Sequence, residues 1–198
     1  MTTESLRFTE IEHKFLVDES FDVATFDRTL REFGPTRTTS LQVRDRYYLT
    51  AAGQTAGFLI RHRFDPELHH LTLKSVESEP EVRAEINLDL GHHAGDQQAA
   101  VDAFLDRLDV RWRGALQKDL RVWKLPDIEV VHYRATTETR TVHCVEFEAT
   151  RKSSLSDALA IVHRYERATG FEARDRCHLS LPQILFPEIA VALGAAPV

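Results

Sequence analysis

Two carboxylates and an ammonium group stand at alternate positions in Glu10-Ile11-Glu12-His13-Lys14, close to the start of the sequence. Successive side chains of a β-strand point to opposite faces, so a strand here places Glu10, Glu12 and Lys14 on one face. Two carboxylates at neighbouring positions of one face repel each other unless positive charge neutralises them. A divalent cation or a group of basic side chains would supply that charge. The alternative interpretation is the solvated outer face of an edge strand.

The same alternation recurs in four later segments. The charged or polar pairs that stand two positions apart are Arg61 and Arg63, Thr72 and Lys74, Arg83 and Glu85, and Glu146 and Glu148. An antiparallel sheet with a polar outer face would explain any one of these pairs. If the strands close into a barrel whose apolar face packs against helices, the charged face instead surrounds a lumen. That lumen would have to hold water, metal and an anion, because unpaired buried charge is too unfavourable.

Hydrophobic spacing predicts about eight strands, most naturally antiparallel, with helices between and after them. The predicted strands are 6–17, 41–49, 57–64, 68–76, 81–90, 111–125, 128–135 and 141–150. The predicted helices are 21–33, 96–108 and 154–169, with a short final helix near 181–193. The fold class predicted from this order is therefore α+β.

Composition limits the classes of protein to which the chain can belong. Its 198 residues suit one domain, and 42% hydrophobic and 28% charged residues are typical of a soluble globular protein. A net charge of −6 argues against general nucleic-acid binding, and no apolar run approaches the roughly 18–20 residues that span a membrane. The first residues do not resemble a signal peptide, and two cysteines are too few for a disulfide framework. We therefore expect a cytoplasmic protein.

Six motifs occur in a defined order between residues 10 and 148. They are Glu10-Ile11-Glu12-His13-Lys14, Arg44-Asp45-Arg46-Tyr47-Tyr48, Phe58-Leu59-Ile60-Arg61-His62-Arg63, Leu71-Thr72-Leu73-Lys74, Arg83-Ala84-Glu85 and Val145-Glu146-Phe147-Glu148. The first resembles the ExExK signature of the CYTH superfamily, or triphosphate tunnel metalloenzymes, and the others resemble further motifs of that family. The resemblance covers most of the chain. It implies a single domain over residues 1–198, built as an eight-stranded antiparallel β tunnel (a closed barrel) with flanking and C-terminal helices.

The resemblance also implies roles for the charged residues. The implied ligands of Mg²⁺ or Mn²⁺ are Glu10, Glu12, Glu146 and Glu148. The implied phosphate ligands are Lys14, Arg61, Arg63, Lys74 and Arg83, with Lys118, Arg121 and Arg176 as candidates to complete the basic ring. Lys14 and Glu85 are the implied catalytic residues, with Glu85 holding a second ion or the attacking water. Oxygen ligands suit these hard ions, and phosphoryl transfer depends more on positioning and charge stabilisation than on a covalent nucleophile.

The sequence departs from the family pattern at four places. Val131-His132-Tyr133-Arg134 lacks the Asp that is frequent on the penultimate strand, and Leu120 stands where a Lys-x-Arg motif would place its Arg. Asn87 follows Glu85 where a second acid is common. Cys177-His178 replaces the Ser-Tyr of many relatives.

The function implied by the resemblance is metal-dependent hydrolysis of inorganic triphosphate or a small organic triphosphate. Thiamine triphosphatase and class IV adenylate cyclase are alternatives within the family, and a non-catalytic polyphosphate- or nucleotide-binding module is an alternative outside the enzymes. The expected partner is a small-molecule triphosphate rather than a nucleic acid or a membrane. The expected assembly is a monomer or a homodimer.

Overall fold

The computed structural model describes residues 8–75, 82–150 and 154–194, without the side chains of residues 8–10, 82–84 and 150. Its strands are β1 (Phe8–Val17), β2 (Arg37–Thr50), β3 (Phe58–Phe64), β4 (His69–Ser75), β5 (Val82–Asp89), β6 (Val110–Lys124), β7 (Glu129–Thr136), β8 (Thr141–Thr150) and β9 (Arg176–Cys177). Its helices are α1 (Val23–Arg31), α2 (Ala51–Ala56), α3 (Gln98–Asp106), α4 (Leu155–Thr169), α5 (Leu181–Leu185) and α6 (Pro187–Ala192). The predicted α+β class is confirmed.

Local signals explain where the helices begin and end. The Asp22 carboxylate accepts hydrogen bonds from two backbone N–H groups in the first turn of α1, and the Ser154 hydroxyl accepts one in α4. Gly170 ends α4 with φ 83°, a left-handed conformation that favours glycine. The predicted final helix is two helices, α5 and α6, because Phe186 precedes a proline and adopts an extended conformation. No helix in the three described ranges has both the length and the apolarity to cross a bilayer.

All strand pairs of the sheet are antiparallel, and the order is β5-β4-β3-β2-β6-β7-β8-β1-β9, with a further pairing between β5 and β1. With this additional pairing, strands β1 to β8 surround a tunnel in the spatial order given above. The second edge of β1 is shared, because its residues 8–11 pair with β5 whereas Lys14 and Phe15 pair with β9. Among the described residues, the two ends of the sheet meet along the start of β1. The two-residue β9 is an additional strand beyond the eight predicted.

The main apolar core lies between the outer surface of the sheet and the helices. Ile11, Phe15 and Phe147 of the sheet form one buried cluster with Phe26 of α1 and Val162 of α4. The rings of Phe15 and Phe147 meet edge to face, with centroids 5.9 Å apart. Because side chains alternate between the two faces of a strand, burying these residues outside turns their charged neighbours towards the tunnel.

Candidate active site

A cavity of about 220 Å³ lies inside the tunnel. Its charged lining residues are Glu12, Lys14, Arg61, Arg63, Lys74, Glu85, Lys118, Glu129, Glu146 and Glu148. Among the residues whose side chains are described, five carboxylates therefore face five cations, and the cations lie within reach of any anion that enters. The main apolar lining residues are Leu59, Leu68, Leu120, Val122, Val131, Leu181 and Pro182.

The acidic wall is formed by the neighbouring strands β1 and β8. The antiparallel register places Glu12 opposite Glu148 and Lys14 opposite Glu146. Carboxylate oxygens of Glu12, Glu146 and Glu148 lie within 4.8 Å of one another, so these side chains could hold a metal ion. A set of carboxylate oxygens lining a cavity matches the ligand preference of a hard divalent cation such as Mg²⁺.

The ammonium group of Lys14 lies among these carboxylates. Its Nζ atom is 3.0 Å from an oxygen of Glu12 and 3.1 Å from an oxygen of Glu146. The residue is only 2% exposed. Lys14 therefore offsets part of the negative charge of the acidic wall.

Across the ring of strands, β3, β4 and β5 bring together Arg61, Lys74 and Glu85. A guanidinium nitrogen of Arg61 lies 3.3 Å from one oxygen of Glu85, and Lys74 Nζ lies 2.8 Å from the other. The same Arg61 nitrogen donates to the hydroxyl of Thr72 at 3.2 Å. One carboxylate thus holds two cations in place at the cavity wall.

Asp45 of β2 has the same arrangement with a second pair of cations. Its carboxylate is fully buried and accepts two hydrogen bonds of 2.7 Å from Arg63, while Lys118 Nζ lies 3.3 Å away. Burial by itself raises the pKa of Asp45, but the charges of Arg63 and Lys118 hold it well below its usual range. Asp45 is not among the site residues predicted from the sequence, and the register that sets it opposite Arg63 explains its role.

Two inward-facing residues of β7 were also missed by the sequence analysis. The Tyr133 hydroxyl donates to Glu146 at 2.7 Å, and Lys118 Nζ lies 4.9 Å from the centre of the Tyr133 ring. Burial and the negative charge of Glu146 raise the pKa of Tyr133 well above its usual value, so the hydroxyl keeps its proton and remains a donor. Glu129 lies opposite Glu148 in the register of β7 and β8 and lines the cavity. An acid therefore does face the tunnel from this strand, at a different position from that of the frequent Asp.

Two predicted phosphate ligands lie outside the cavity lining. Arg121 is on the outer face of β6, where its guanidinium pairs with Asp27 of α1 at 2.9 Å. The reason is strand alternation, because Lys118, Leu120 and Val122 take the inward positions of β6. Arg176 pairs with Glu166 of α4 at 2.8 Å.

The remaining predicted site residues are Glu10 and Arg83. Their backbones are paired in the β1–β5 register. Their side chains lie outside the described part of the structure.

Comparison with known proteins agrees with this fold. The CYTH domain family matches residues 9–174, and the chain therefore belongs to this family. A protein of Pyrococcus horikoshii has 18% sequence identity and a TM-score of 0.70, with 89% of this chain and 99% of that chain covered. A conserved hypothetical protein of Pyrococcus furiosus has 22% identity and a TM-score of 0.67, with 89% and 99% covered. A candidate adenylate cyclase of Bacillus halodurans has 18% identity and a TM-score of 0.61, with 91% and 99% covered.

A search of curated protein sequences found no match to this chain. At these identities the structural neighbours establish the fold alone. The family assignment places the chain among enzymes of the triphosphate tunnel class.

Proposed function

We propose that the protein is a divalent-metal-dependent triphosphatase that hydrolyses inorganic triphosphate or a small organic triphosphate inside the tunnel. The observation that carries the proposal is the separation of charge across one cavity. Carboxylates of β1 and β8 form a candidate metal site, and cations of β3, β4 and β6 face the same space. A polyphosphate with a bound divalent cation needs both kinds of surface at once.

In this proposal Mg²⁺ or Mn²⁺ is held by Glu12, Glu146 and Glu148, with Glu10 as a further ligand. Bound there, the ion would supply Lewis-acid stabilisation of charge on the phosphate oxygens. The proposed phosphate ligands are Lys14, Arg61, Arg63, Lys74, Arg83 and Lys118. They offset the negative charge of the substrate and orient its terminal phosphoryl group.

Lys14 and Glu85 have the two most specific proposed roles. Lys14 is paired with Glu12 and Glu146, so a cation bound by these carboxylates would let the ammonium donate to a phosphate oxygen. Glu85 contacts Arg61 and Lys74 and would accept a hydrogen bond from the attacking water once these cations bind phosphate. In this role, the Glu85 carboxylate would be a proton acceptor beside the proposed phosphate ligands.

The apolar side of the cavity supports an organic triphosphate over the inorganic ion. Leu120, Val122 and Val131 line it from β6 and β7. Inorganic triphosphate has no apolar group that would gain from such contact, whereas an organic substituent would be removed from water there.

The decisive experiment is a panel of inorganic triphosphate, thiamine triphosphate and ATP, each incubated with Mg²⁺, with Mn²⁺ or with EDTA. We expect orthophosphate release from at least one substrate, abolished by EDTA. Release of pyrophosphate together with cyclic AMP from ATP would support the cyclase alternative instead. Tight binding of triphosphates without any turnover would support the alternative of a non-catalytic binding module.

A matched pair of arginine variants tests the assignment of the tunnel. Arg61→Ala removes a cavity cation and should lower kcat/KM by about 10²-fold or more. Arg121→Ala removes an outer-face cation whose contacts are with Asp27 and Trp123, and it should change kcat/KM by no more than about twofold. Equal losses in the two variants would contradict the proposed site.

A further inference from the structure

We propose that Glu166 is a positioning residue outside the tunnel. Through its contacts with His13 and Arg176, it fixes the positions of Glu12 and Lys14. The inference rests on the proposed function, since it concerns the alignment of that site. Glu166 lies on α4, on the far side of β1 from the cavity.

His13 connects the outer and inner faces of β1. It stands between Glu12 and Lys14 in the sequence, so its side chain points away from the tunnel when theirs point into it. Its Nδ1 atom lies 2.6 Å from Glu166 Oε1, and the two side chains are 1% and 3% exposed. A short, buried contact of this kind restricts the backbone at the centre of the acidic wall.

Arg176 connects the same carboxylate to the other side of the site. Its Nε atom donates to Glu166 Oε1 at 3.2 Å and a terminal nitrogen donates to Oε2 at 2.8 Å. Three residues later, the carbonyl oxygen of Leu179 accepts a hydrogen bond from Lys14 Nζ at 3.4 Å. Glu166 therefore anchors both the strand that carries Lys14 and the segment that contacts its ammonium group.

The sheet gives a reason why β1 needs this anchor. On its second edge, β1 pairs with β5 through Ile11 and with β9 at Lys14 and Phe15. Among the described residues, the register with β5 runs to Ile11 and the register with β9 begins at Lys14, so β1 changes its partner strand on this edge between these two positions. The contact between His13 and Glu166 lies at this change of partner.

The charge of Glu166 is central to the arrangement. Burial by itself raises the pKa of Glu166, but its hydrogen bonds from His13 and Arg176 lower it below the usual value, so the carboxylate is ionised. Removing that charge would take from Arg176, whose side chain is 8% exposed, the carboxylate that contacts it at 2.8 Å. Loss of one partner of a buried ion pair displaces the other, and here the other partner belongs to the segment that contacts Lys14.

A metal site is the competing interpretation of the same residues. His13, His163 and Glu166 offer ligand atoms within 4.8 Å of one another. The guanidinium of Arg176 already contacts both oxygens of Glu166, and its positive charge opposes a divalent cation beside it. The contacts therefore favour a positioning network, and metal binding is an outcome of the test.

The test compares Glu166→Gln with Asp127→Asn. Asp127 anchors the same helix elsewhere, because it accepts a hydrogen bond from Tyr165 at 2.7 Å, and it does not belong to the His13 network. Both variants should lower the melting temperature. Only Glu166→Gln should raise the half-saturating Mg²⁺ concentration or lower kcat, by about 10- to 100-fold, as outer-shell partners of metal ligands do.

Amide hydrogen exchange gives a second readout that does not depend on turnover. Exchange at residues 12–14 should accelerate in Glu166→Gln and not in Asp127→Asn. Should Glu166→Gln fail to fold, His13→Phe cuts the link to β1 while leaving the pair of Glu166 and Arg176, and it should give the same local acceleration.

Three results separate the possibilities. Wild-type protein without any turnover would refute the proposed function, and the exchange data would then decide the positioning role alone. Equal effects of Glu166→Gln and Asp127→Asn on residues 12–14 would overturn the inference. Stoichiometric Zn²⁺ binding by the wild type that is lost in His163→Ala would also overturn it, in favour of a metal site.

Discussion

Asp45→Asn most directly tests whether a buried carboxylate stabilises the cationic side chains of the tunnel. The Asp45 carboxylate is fully buried, and it faces the guanidinium of Arg63 through two hydrogen bonds of 2.7 Å and the ammonium of Lys118 at 3.3 Å. Asparagine has nearly the same shape but no charge. The variant therefore removes the charge of the carboxylate that Arg63 and Lys118 share.

The expected loss of stability follows from this geometry. Breaking a buried ion pair by removing one partner costs about 3–5 kcal/mol. For a protein of this size, 1 kcal/mol shifts the melting temperature by about 2–4 °C, so the melting temperature should fall by about 6–20 °C. Asp119→Asn is the matched control, because Asp119 pairs with Arg134 at 2.8 Å on an exposed surface, where a pair contributes about 0–1 kcal/mol.

The assay is thermal unfolding of the wild type and both variants, with and without inorganic triphosphate. Asp45→Asn removes negative charge from beside Arg63 and Lys118, so a polyanion should stabilise this variant more than the wild type. A ligand at 100 times its Kd contributes about 2.7 kcal/mol, which would recover a large part of the loss.

Two results would refute the reasoning. If Asp45→Asn melts as high as Asp119→Asn, the buried carboxylate does not balance Arg63 and Lys118. If triphosphate stabilises Asp45→Asn no more than it stabilises the wild type, these cations do not face the ligand.

Two further predictions concern β7. Tyr133→Phe removes the hydroxyl that donates to the buried Glu146 at 2.7 Å. In urea titrations, the free energy of unfolding should fall by about 1–3 kcal/mol. Unchanged stability would contradict this hydrogen bond. Burial lowers the pKa of His132 from 6.5, so the unfolded chain takes up a proton before the folded chain, and stability should decrease as pH falls below about 6.5 towards the folded pKa. His132→Phe keeps the stacking on Phe21 and should flatten the melting temperature between pH 7 and pH 5; an unchanged slope would show that His132 does not titrate as expected.

Much of the fold could be predicted because alternation and helix boundaries are local properties of the chain. The alternation of Glu12 and Lys14 with apolar neighbours correctly indicated which side chains face inward. A helix was not predicted where its local signal is weak. The six-residue α2 has no apolar stripe long enough to show a helical period, and it depends on the Thr50 hydroxyl accepting from the Gly53 N–H at 2.9 Å.

The candidate site could likewise be predicted only in part from the sequence. Strand alternation alone shows that Lys118 and Arg121 lie on opposite faces of β6, but not which of them enters the tunnel. That choice depends on α1, which supplies Asp27 as the partner of Arg121 on the outer face. The pairing of Asp45 with Arg63 likewise requires the register between two strands.

The sequence by itself therefore determined which strands carry acids, which strands carry bases, and which residues of a strand share a face. These properties follow from the period of two along a strand, which is a local property of the backbone. Only the tertiary structure decided the partners, such as Glu85 with Arg61 and Lys74, or Glu166 with His13, 153 positions apart. Charge pairs form over a few ångströms of space, and the distance along the chain does not limit them.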